Sequence, residues 1–400
     1  MAPYESDDAP SAARDEDARS GRRKAARYAV PVAVVGVAAA TIGLVPALAN
    51  SGDPDLPRVT AQQLIEKIAK SDVQQLSGTV KISTDLGLPN LGGLENSLAS
   101  GAGKGDGSSA DPQAKLTELV SGTHTLRVAA DGPDRQKLSL LETGAEYSII
   151  HNGRDVWGYD SRSNQVHHST KAADGARHGE RAGEPPATPK DFADQALKAV
   201  DDTTSVTVDG TAQVAGRDAY KLLIKPRQSG TTVGAISIAV DAKTGLPLKF
   251  TLTPKSGGAA VVDVGFTQVS FAKPAAATFD FTPPKGAKVT EDKQDHKARE
   301  HAPAAGRDFA RGFDPAEVLG KGWSSVATFD TGAKGGLPTG AKGGDLGGFL
   351  GSLGDQVSGK FGKGTVFSTR LVNALITDDG KVYAGAVTKE ALVKAANEGK

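Results

Sequence analysis

The 400-residue sequence predicts an α+β protein in which a large, curved antiparallel sheet is covered by a few helices and preceded by one transmembrane helix. Three observations lead to this prediction. Residues 29–49 form an apolar run, residues 60–71 and the stretch after residue 188 have helical periodicity, and much of the chain between residues 79 and 271 alternates apolar and polar side chains.

The apolar run from Ala29 to Ala49 contains no charged side chain, and its 21 residues would span the hydrocarbon core of a bilayer as a helix. Basic residues before it should stay in the cytoplasm and place everything after Asn50 outside. The residues expected to set this topology are Arg22, Arg23, Lys24 and Arg27. A signal peptide cleaved after Ala49 is the alternative, because residues 47–49 match a small-x-small cleavage site. The expected location is the cell membrane with most of the chain extracytoplasmic, or secretion if cleavage occurs.

Composition narrows the class of function. The chain has 47 basic and 47 acidic residues, so no net field attracts nucleic acid or an acidic partner. It has no cysteine, so neither a disulfide framework nor a lipid-modified cysteine is available. An extracytoplasmic position also argues against chemistry that depends on ATP or NAD.

The first half of the exported part is predicted to be a helix followed by a meander of hairpins. Thr60 as N-cap and Gln63 at N3 predict a capping box, and apolar residues follow at helical spacing. The period then changes to 2, and Asn152-Gly153 is a strong hairpin signal. The predicted strands are 79–84, 124–130, 137–140, 147–151 and 155–159.

The second half repeats this order. Thr188 is suited to be the N-cap of a second helix, with Pro189 at N1. In the strands that follow, Tyr220 and Ile224 face away from Lys221, so one face of the sheet should be buried and the other wet. The predicted strands are 206–208, 220–224, 236–240, 248–252, 261–266 and 269–271.

About ten strands in one sheet predict strong curvature towards a half-barrel, whose apolar concave face is either packed shut or holds a ligand. Period-2 alternation nominates the side chains that line this face. They are Leu126, Val128, Leu138, Leu140, Tyr147, Ile149, Tyr220, Leu222, Ile224, Ile236, Ile238, Phe250 and Leu252.

The order of elements and several short motifs resemble the LolA-like superfamily, as a membrane-anchored member of actinobacterial type. The superfamily includes periplasmic lipoprotein carriers, RseB/MucB-type envelope-stress sensors and mycobacterial lipid-binding lipoproteins. The motifs are 76–80 at the first strand, 153–159 in the central meander, 244–248 before a long strand and 279–284 at the end. The resemblance implies a half-open β-barrel whose concave face takes an acyl chain.

These observations predict six segments of the chain. They are a disordered cytoplasmic tail at 1–27, a transmembrane helix at 28–49, a linker at 50–58, a LolA-like lipid-binding domain at 59–290, a charged linker at 291–312, and a strand–hairpin–helix appendix with a Gly-rich loop at 313–400. In the appendix, strands are expected at 323–330 and 366–376, and Thr388 is expected to cap the closing helix.

Motifs for catalysis and metal binding are weak. Residues 354–360 match six positions of a phosphate loop, but Phe361 stands where a Mg²⁺-binding Ser or Thr is needed, so a Gly-rich surface loop is favoured. His167, His168 and His178 lie in one predicted loop near Glu180 without zinc-site spacing, so solvated histidines are favoured. No G-x-S-x-G elbow, HExxH motif or Cys nucleophile is present in the sequence. We therefore expect no enzyme activity, no cofactor and no metal.

Two Gly-rich tracts, 91–98 and 346–353, match at five of eight positions. Apolar residues in such tracts are unfavourable in water unless they fold over something, so the tracts are candidate lids, although low-complexity coincidence also explains them. The candidate lid residues are Leu91, Leu94, Leu98, Leu346, Phe349, Leu350 and Leu353.

Three functional hypotheses follow. The first is a membrane-anchored extracytoplasmic protein that binds a lipid or an acylated protein in a half-barrel cavity. The second is an envelope sensor or regulator that binds a membrane regulatory protein such as an anti-sigma factor. The third is a cavity that is packed shut in a protein with a structural role in the envelope.

Overall fold

The computed structural model describes residues 53–87, 110, 112, 115, 119, 121–170, 187–291, 317–330 and 354–399. Residues 53–400 form one compact unit. The predicted transmembrane helix, the tail before it and the four topology-setting residues lie outside the described residues. Among the described residues, no helix is both long enough and apolar enough to span a bilayer.

Three α-helices have the N-caps that the sequence predicts. They are α1 (Ala61–Ala69), α2 (Pro189–Lys198) and α3 (Lys389–Glu398). The Thr60 hydroxyl accepts a hydrogen bond from the Gln63 backbone N–H at 3.2 Å, and the Gln63 side chain accepts one from Thr60 N–H at 2.8 Å. The capping box of α1 and the N-caps of α2 at Thr188 and of α3 at Thr388 are therefore confirmed.

In the part of the chain that the structure describes, the larger sheet has 12 strands. They are β1 (Gln75–Thr84), β2 (Gly122–Asp131), β3 (Arg135–Glu142), β4 (Ala145–Asn152), β5 (Asp155–Asp160), β6 (Gln165–Thr170), β7 (Thr204–Val214), β8 (Arg217–Pro226), β9 (Val233–Asp241), β10 (Pro247–Pro254), β11 (Val262–Ser270) and β12 (Lys288–Glu291). Their spatial order is β12-β6-β5-β4-β3-β2-β1-β11-β10-β9-β8-β7, so two meanders are joined where β1 pairs with β11.

The sheet is large, curved and open rather than closed into a barrel, because β12 and β7 form its two edges. It differs from the predicted antiparallel sheet in one place, where β12 pairs in parallel with β6. Neither strand was predicted: β6 is polar, and every residue of β12 is exposed. The two short strands expected at 261–271 are one strand, β11, interrupted by a bulge at Thr267.

The smaller sheet has six strands. They are β13 (Glu317–Leu319), β14 (Val326–Asp330), β15 (Asp355–Gly359), β16 (Gly362–Ser368), β17 (Asn373–Thr377) and β18 (Lys381–Gly385), in the spatial order β13-β14-β18-β17-β16-β15. The strand predicted at 366–376 is wrong, since a turn divides it into β16 and β17. The strand predicted from 323 begins only at Val326, after a 3₁₀ turn.

Backbone hydrogen bonds join the two sheets. Thr232 N–H donates to Ala386 O at 3.0 Å, and Thr388 N–H donates to Gly230 O at 2.9 Å. A further contact is the Arg370 guanidinium, which lies 2.9 Å from the Asp85 carboxylate at the end of β1. The smaller sheet therefore packs against the turn between β8 and β9 and against the segment after β1.

Candidate apolar binding face

The inner face of the larger sheet is the face that carries Val80, Leu126, Leu222 and Phe250, and α1 and α2 pack on it. Cross-strand pairing makes this face continuous. Ile82 lies opposite Val264, and the same row runs on through Phe250, Ile238 and Leu222. It corresponds to the concave face that the alternation predicts.

The β7–β10 half of the inner face is covered by helices. α1 packs on β7 and β8, and α2 packs on β10 and β11. Seven of the nominated lining residues belong to this half: Tyr220, Leu222, Ile224, Ile236, Ile238, Phe250 and Leu252. All but Leu252 are buried, in one cluster with Leu64 and Ile68 of α1 and with Ala193 and Ala196 of α2. A ligand could reach them only if a helix moved.

The β1–β6 half has a different surface. Leu126, Leu140 and Tyr147 are buried, whereas Val128, Leu138 and Ile149 are only half-buried. Val128 pairs with Leu138, and Leu138 pairs with Ile149, so the three half-buried side chains stand side by side across β2, β3 and β4. We call Val128, Leu138 and Ile149 the apolar row.

Glycines extend the apolar row at both ends. Gly78 pairs with Val128, and Gly158 pairs with Ile149. A Cβ atom on Gly158 would lie 2.4 Å from Ala110 O and 2.9 Å from the Tyr147 hydroxyl, so only glycine allows the backbone at residue 110 to approach β5. A glycine inside a predicted strand is the signal that could have indicated this close approach.

Four described residues, Ala110, Pro112, Lys115 and Leu119, cover part of this half. Ala110 O accepts a hydrogen bond from the Tyr147 hydroxyl at 3.0 Å, and Leu119 is buried in the same cluster as Leu126. At the edge of the cover, Lys115 Nζ lies 3.0 Å from Glu142 Oε1. No periodicity in the sequence predicts this cover. The seven candidate lid residues that it nominated lie outside the described residues.

The histidines near residue 167 are on a strand and not in a loop. His167 and His168 are neighbours on β6, so they point to opposite faces of the sheet. Within the described part of the chain, no group of three or more His, Asp or Glu side chains could hold a metal ion. His178 and Glu180 lie outside that part. The segment resembling a phosphate loop is the β15–β16 hairpin, with Phe361 buried in the core of the smaller sheet.

His168 lies on the outer face, opposite the apolar row, and connects three strands. Its Nδ1 is 2.7 Å from Glu291 Oε2 on β12, and its Nε2 is 3.0 Å from Asp155 Oδ1 on β5. The imidazole stacks on Trp157 with ring centroids 3.7 Å apart. Burial alone would lower the pKa of His168, but the hydrogen bonds to Asp155 and Glu291 outweigh burial and raise that pKa.

This cluster predicts a pH dependence of stability. Because the pKa of His168 is raised on folding, its contribution is fully present below the unfolded value of about 6.5 and is lost as the pH rises through the folded value. We expect urea unfolding of the full chain in detergent to show this loss as the pH rises above about 6.5. His168→Gln should remove the loss and His124→Gln should retain it. Equal pH dependence in the wild type and His168→Gln would contradict the prediction.

Residues 117–286 match the family model described as the MucB/RseB N-terminal domain. No curated protein matches the sequence. The superfamily resemblance inferred from the sequence is confirmed over the matched residues.

Similar solved structures have low sequence identity to this chain. The chain is similar to MucB in the MucA/MucB complex of Pseudomonas aeruginosa, with 16% identity, 84% of this chain and 96% of that chain covered, and a TM-score of 0.40. An uncharacterized conserved protein from Thermus thermophilus is 15% identical, with 58% of this chain and 99% of that chain covered and a TM-score of 0.31. A LolA superfamily protein from Nitrosomonas europaea is 12% identical, with 56% of this chain and 99% of that chain covered and a TM-score of 0.22. With such TM-scores, these structures carry no argument, and the likeness rests on the family model matched at residues 117–286.

Proposed function

We propose that this chain, with its MucB/RseB N-terminal domain match at residues 117–286, binds the acyl chain of a lipid or of an acylated protein. The site is the inner face of β1–β6. The observation that carries the proposal is the apolar row, which is half-buried at Val128, Leu138 and Ile149 while its neighbours are fully buried.

We place the protein outside the cytoplasm, anchored by residues 28–49, because of the basic residues before that segment.

The energy of burial is sufficient for such a ligand. Burying one methylene group contributes about 0.8 kcal/mol, so a chain of about 16 carbons could gain roughly 10 kcal/mol. Association and ordering cost several kcal/mol, which leaves micromolar binding. The ligand would lie against Val128, Leu138 and Ile149, bounded by the Phe266 ring at Gly78 and by the Ala110 backbone at Gly158.

The proposal restricts the site to fewer residues than the alternation nominates. Leu126, Leu140 and Tyr147 form the floor of this half, and the apolar row forms its surface. The seven nominated residues of β8–β10 belong to the core beneath α1 and α2 and are not part of the proposed site.

Mass spectrometry of organic extracts tests the proposal directly. The full chain purified in a mild detergent should carry a co-purified lipid, or after delipidation should take up a fluorescent fatty-acid probe with micromolar affinity. A folded, delipidated chain that takes up no probe and that carried no lipid when purified would show that this half of the face is closed.

A second candidate function is binding of a membrane regulatory protein, such as an anti-sigma factor. The family match favours it, because the MucB structure of Pseudomonas aeruginosa is a complex with MucA. This candidate replaces the first if no lipid and no probe is bound. It would then be tested by measuring direct binding of purified extracytoplasmic segments of the organism's anti-sigma factors.

A further inference from the structure

The outer face of the larger sheet has a groove, lined in part by charged and polar side chains, that the proposed function does not use. The groove has a volume of about 410 Å³ and lies over β1, β2, β3 and β11, beside the 3₁₀ turn at residue 278. The polar lining residues on the strands are Arg127, Lys137, Ser77, Thr79, Gln268 and Ser270. These residues alternate along their strands with the inner-face residues Gly78, Val80, Leu126, Val128 and Leu138, so the groove and the apolar row lie on opposite faces.

The strand register brings the two cations of the groove together. Arg127 lies opposite Thr79 and Ser139, and Lys137 lies opposite Ala129. Arg127 and Lys137 are therefore diagonal neighbours on β2 and β3, with about 7–8 Å between their Cα atoms. A tetrahedral oxyanion between them could accept hydrogen bonds from both side chains.

Among the described residues, no carboxylate neutralises the two cations of the groove. In that part of the chain, neither Arg127 nor Lys137 has a carboxylate within ion-pair distance. Asp131 lies on the same face, but it is paired with Arg135 and has Lys273 at 3.8 Å. Lys249, by contrast with Arg127 and Lys137, forms an ion pair with Asp263 at 3.0 Å.

A β-bulge shapes the side of the groove formed by β11. The register of β1 with β11 shifts at Thr267, whose hydroxyl donates to Thr79 O at 3.2 Å. Bulges redirect side chains and are frequent beside functional sites. Beyond this bulge, Gln268 lies opposite Thr79 and Ser270 lies opposite Ser77, so an amide and a hydroxyl of β11 line the groove beside hydroxyls of β1.

We propose that this groove binds a phosphate ester group. Arg127 would donate two parallel N–H bonds to two phosphate oxygens, and Lys137 would act as a point charge beside them. Ser77, Thr79 and Ser270 carry hydroxyls that can donate to the remaining oxygens. The ligand is a soluble phosphate ester or a phospholipid headgroup. The site is independent of acyl-chain binding, because the two sites use opposite faces of the sheet.

The test is a calorimetric titration of the full chain, in uncharged detergent, with inorganic phosphate and with glycerol 3-phosphate. The Arg127→Gln/Lys137→Gln variant should bind at least about tenfold more weakly than the wild type, because it loses two charged hydrogen-bond donors. The matched control is Lys221→Gln/Lys225→Gln, which removes the same charge from β8 on the same face and should stay within about twofold of the wild type.

A second measurement identifies the source of the phosphate. Co-sedimentation with vesicles of phosphatidylglycerol, compared with phosphatidylcholine, should show a preference that the groove variant loses if the ligand is a lipid headgroup. If the groove variant binds glycerol 3-phosphate more weakly but its vesicle binding is unchanged, the ligand is a soluble phosphate ester. The proposal is overturned if no phosphate probe is bound, if the groove variant binds like the wild type, or if the control loses as much. Fatty-acid uptake by the groove variant reports separately on the proposed function.

Discussion

Replacing Arg217 with Met is expected to lower the free energy of unfolding by about 3–5 kcal/mol, because it would leave a buried carboxylate without its cation. Asp241 is 1% exposed and accepts hydrogen bonds from Arg217, with Arg217 Nη2 at 3.1 Å from Asp241 Oδ1. It also accepts bonds from the Lys243 backbone N–H at 3.0 Å and from the Thr244 hydroxyl at 2.8 Å. The Arg217 guanidinium lies 4.5 Å from the centre of the Phe271 ring, so its removal also costs packing.

The same pair predicts sensitivity to acid. Burial alone would raise the pKa of Asp241, but the hydrogen bonds from Arg217 and Thr244 outweigh burial and lower that pKa. A lowered folded pKa contributes stability above the unfolded value of about 3.9, and this contribution is lost as the pH falls through the folded value. Without Arg217, that contribution should be reduced.

Urea unfolding of the full chain in detergent measures the loss for Arg217→Met. The matched control is Lys249→Met, since Lys249 pairs with Asp263 at 3.0 Å but both side chains are about 40% exposed. Solvent screening at such a pair limits the loss to about 1 kcal/mol or less. If Arg217→Met is no more destabilised than Lys249→Met, the buried pair does not stabilise the fold as argued.

Leu138→Glu is expected to abolish binding of an acyl probe. Leu138 is the middle member of the apolar row, between Val128 and Ile149. A carboxylate there would have to be buried against the ligand without a hydrogen-bond partner, which costs more than about 3 kcal/mol and corresponds to at least about a hundredfold loss of affinity. Leu138 is half-buried in the unliganded chain. The new carboxylate can therefore stay in contact with water when no ligand is bound, and the variant should still fold.

Two further variants make this result specific. Leu138→Met conserves volume and should bind the fluorescent fatty acid within a few-fold of the wild type. Lys81→Glu places a carboxylate on the outer face of the neighbouring β1 and should also leave uptake unchanged. Circular dichroism verifies that each variant is folded. A folded Leu138→Glu chain that takes up the probe as the wild type does would exclude the apolar row as the site.

The elements predicted correctly from the sequence are those whose signals lie within a few residues. The capping box at Thr60 and the N-caps at Thr188 and Thr388 are such signals, and so is the turn at Asn152-Gly153, where Gly153 has a φ of 64°. Alternation placed Leu126 and Leu222 on the same face of the sheet, because neighbouring side chains on a strand point to opposite sides.

The sequence by itself therefore determined the helix starts, most strands and the two faces of the sheet. Tertiary structure decided the pairing of β1 with β11 and of β6 with β12, because backbone hydrogen bonds between distant segments require no particular side chains. It also decided that α1 and α2 cover the β7–β10 half and leave the apolar row half-buried. Period-2 alternation assigns a residue to a face of the sheet, but only packing shows whether another element covers that residue. For the same reason, only the strand register shows that Arg127 and Lys137 are neighbours.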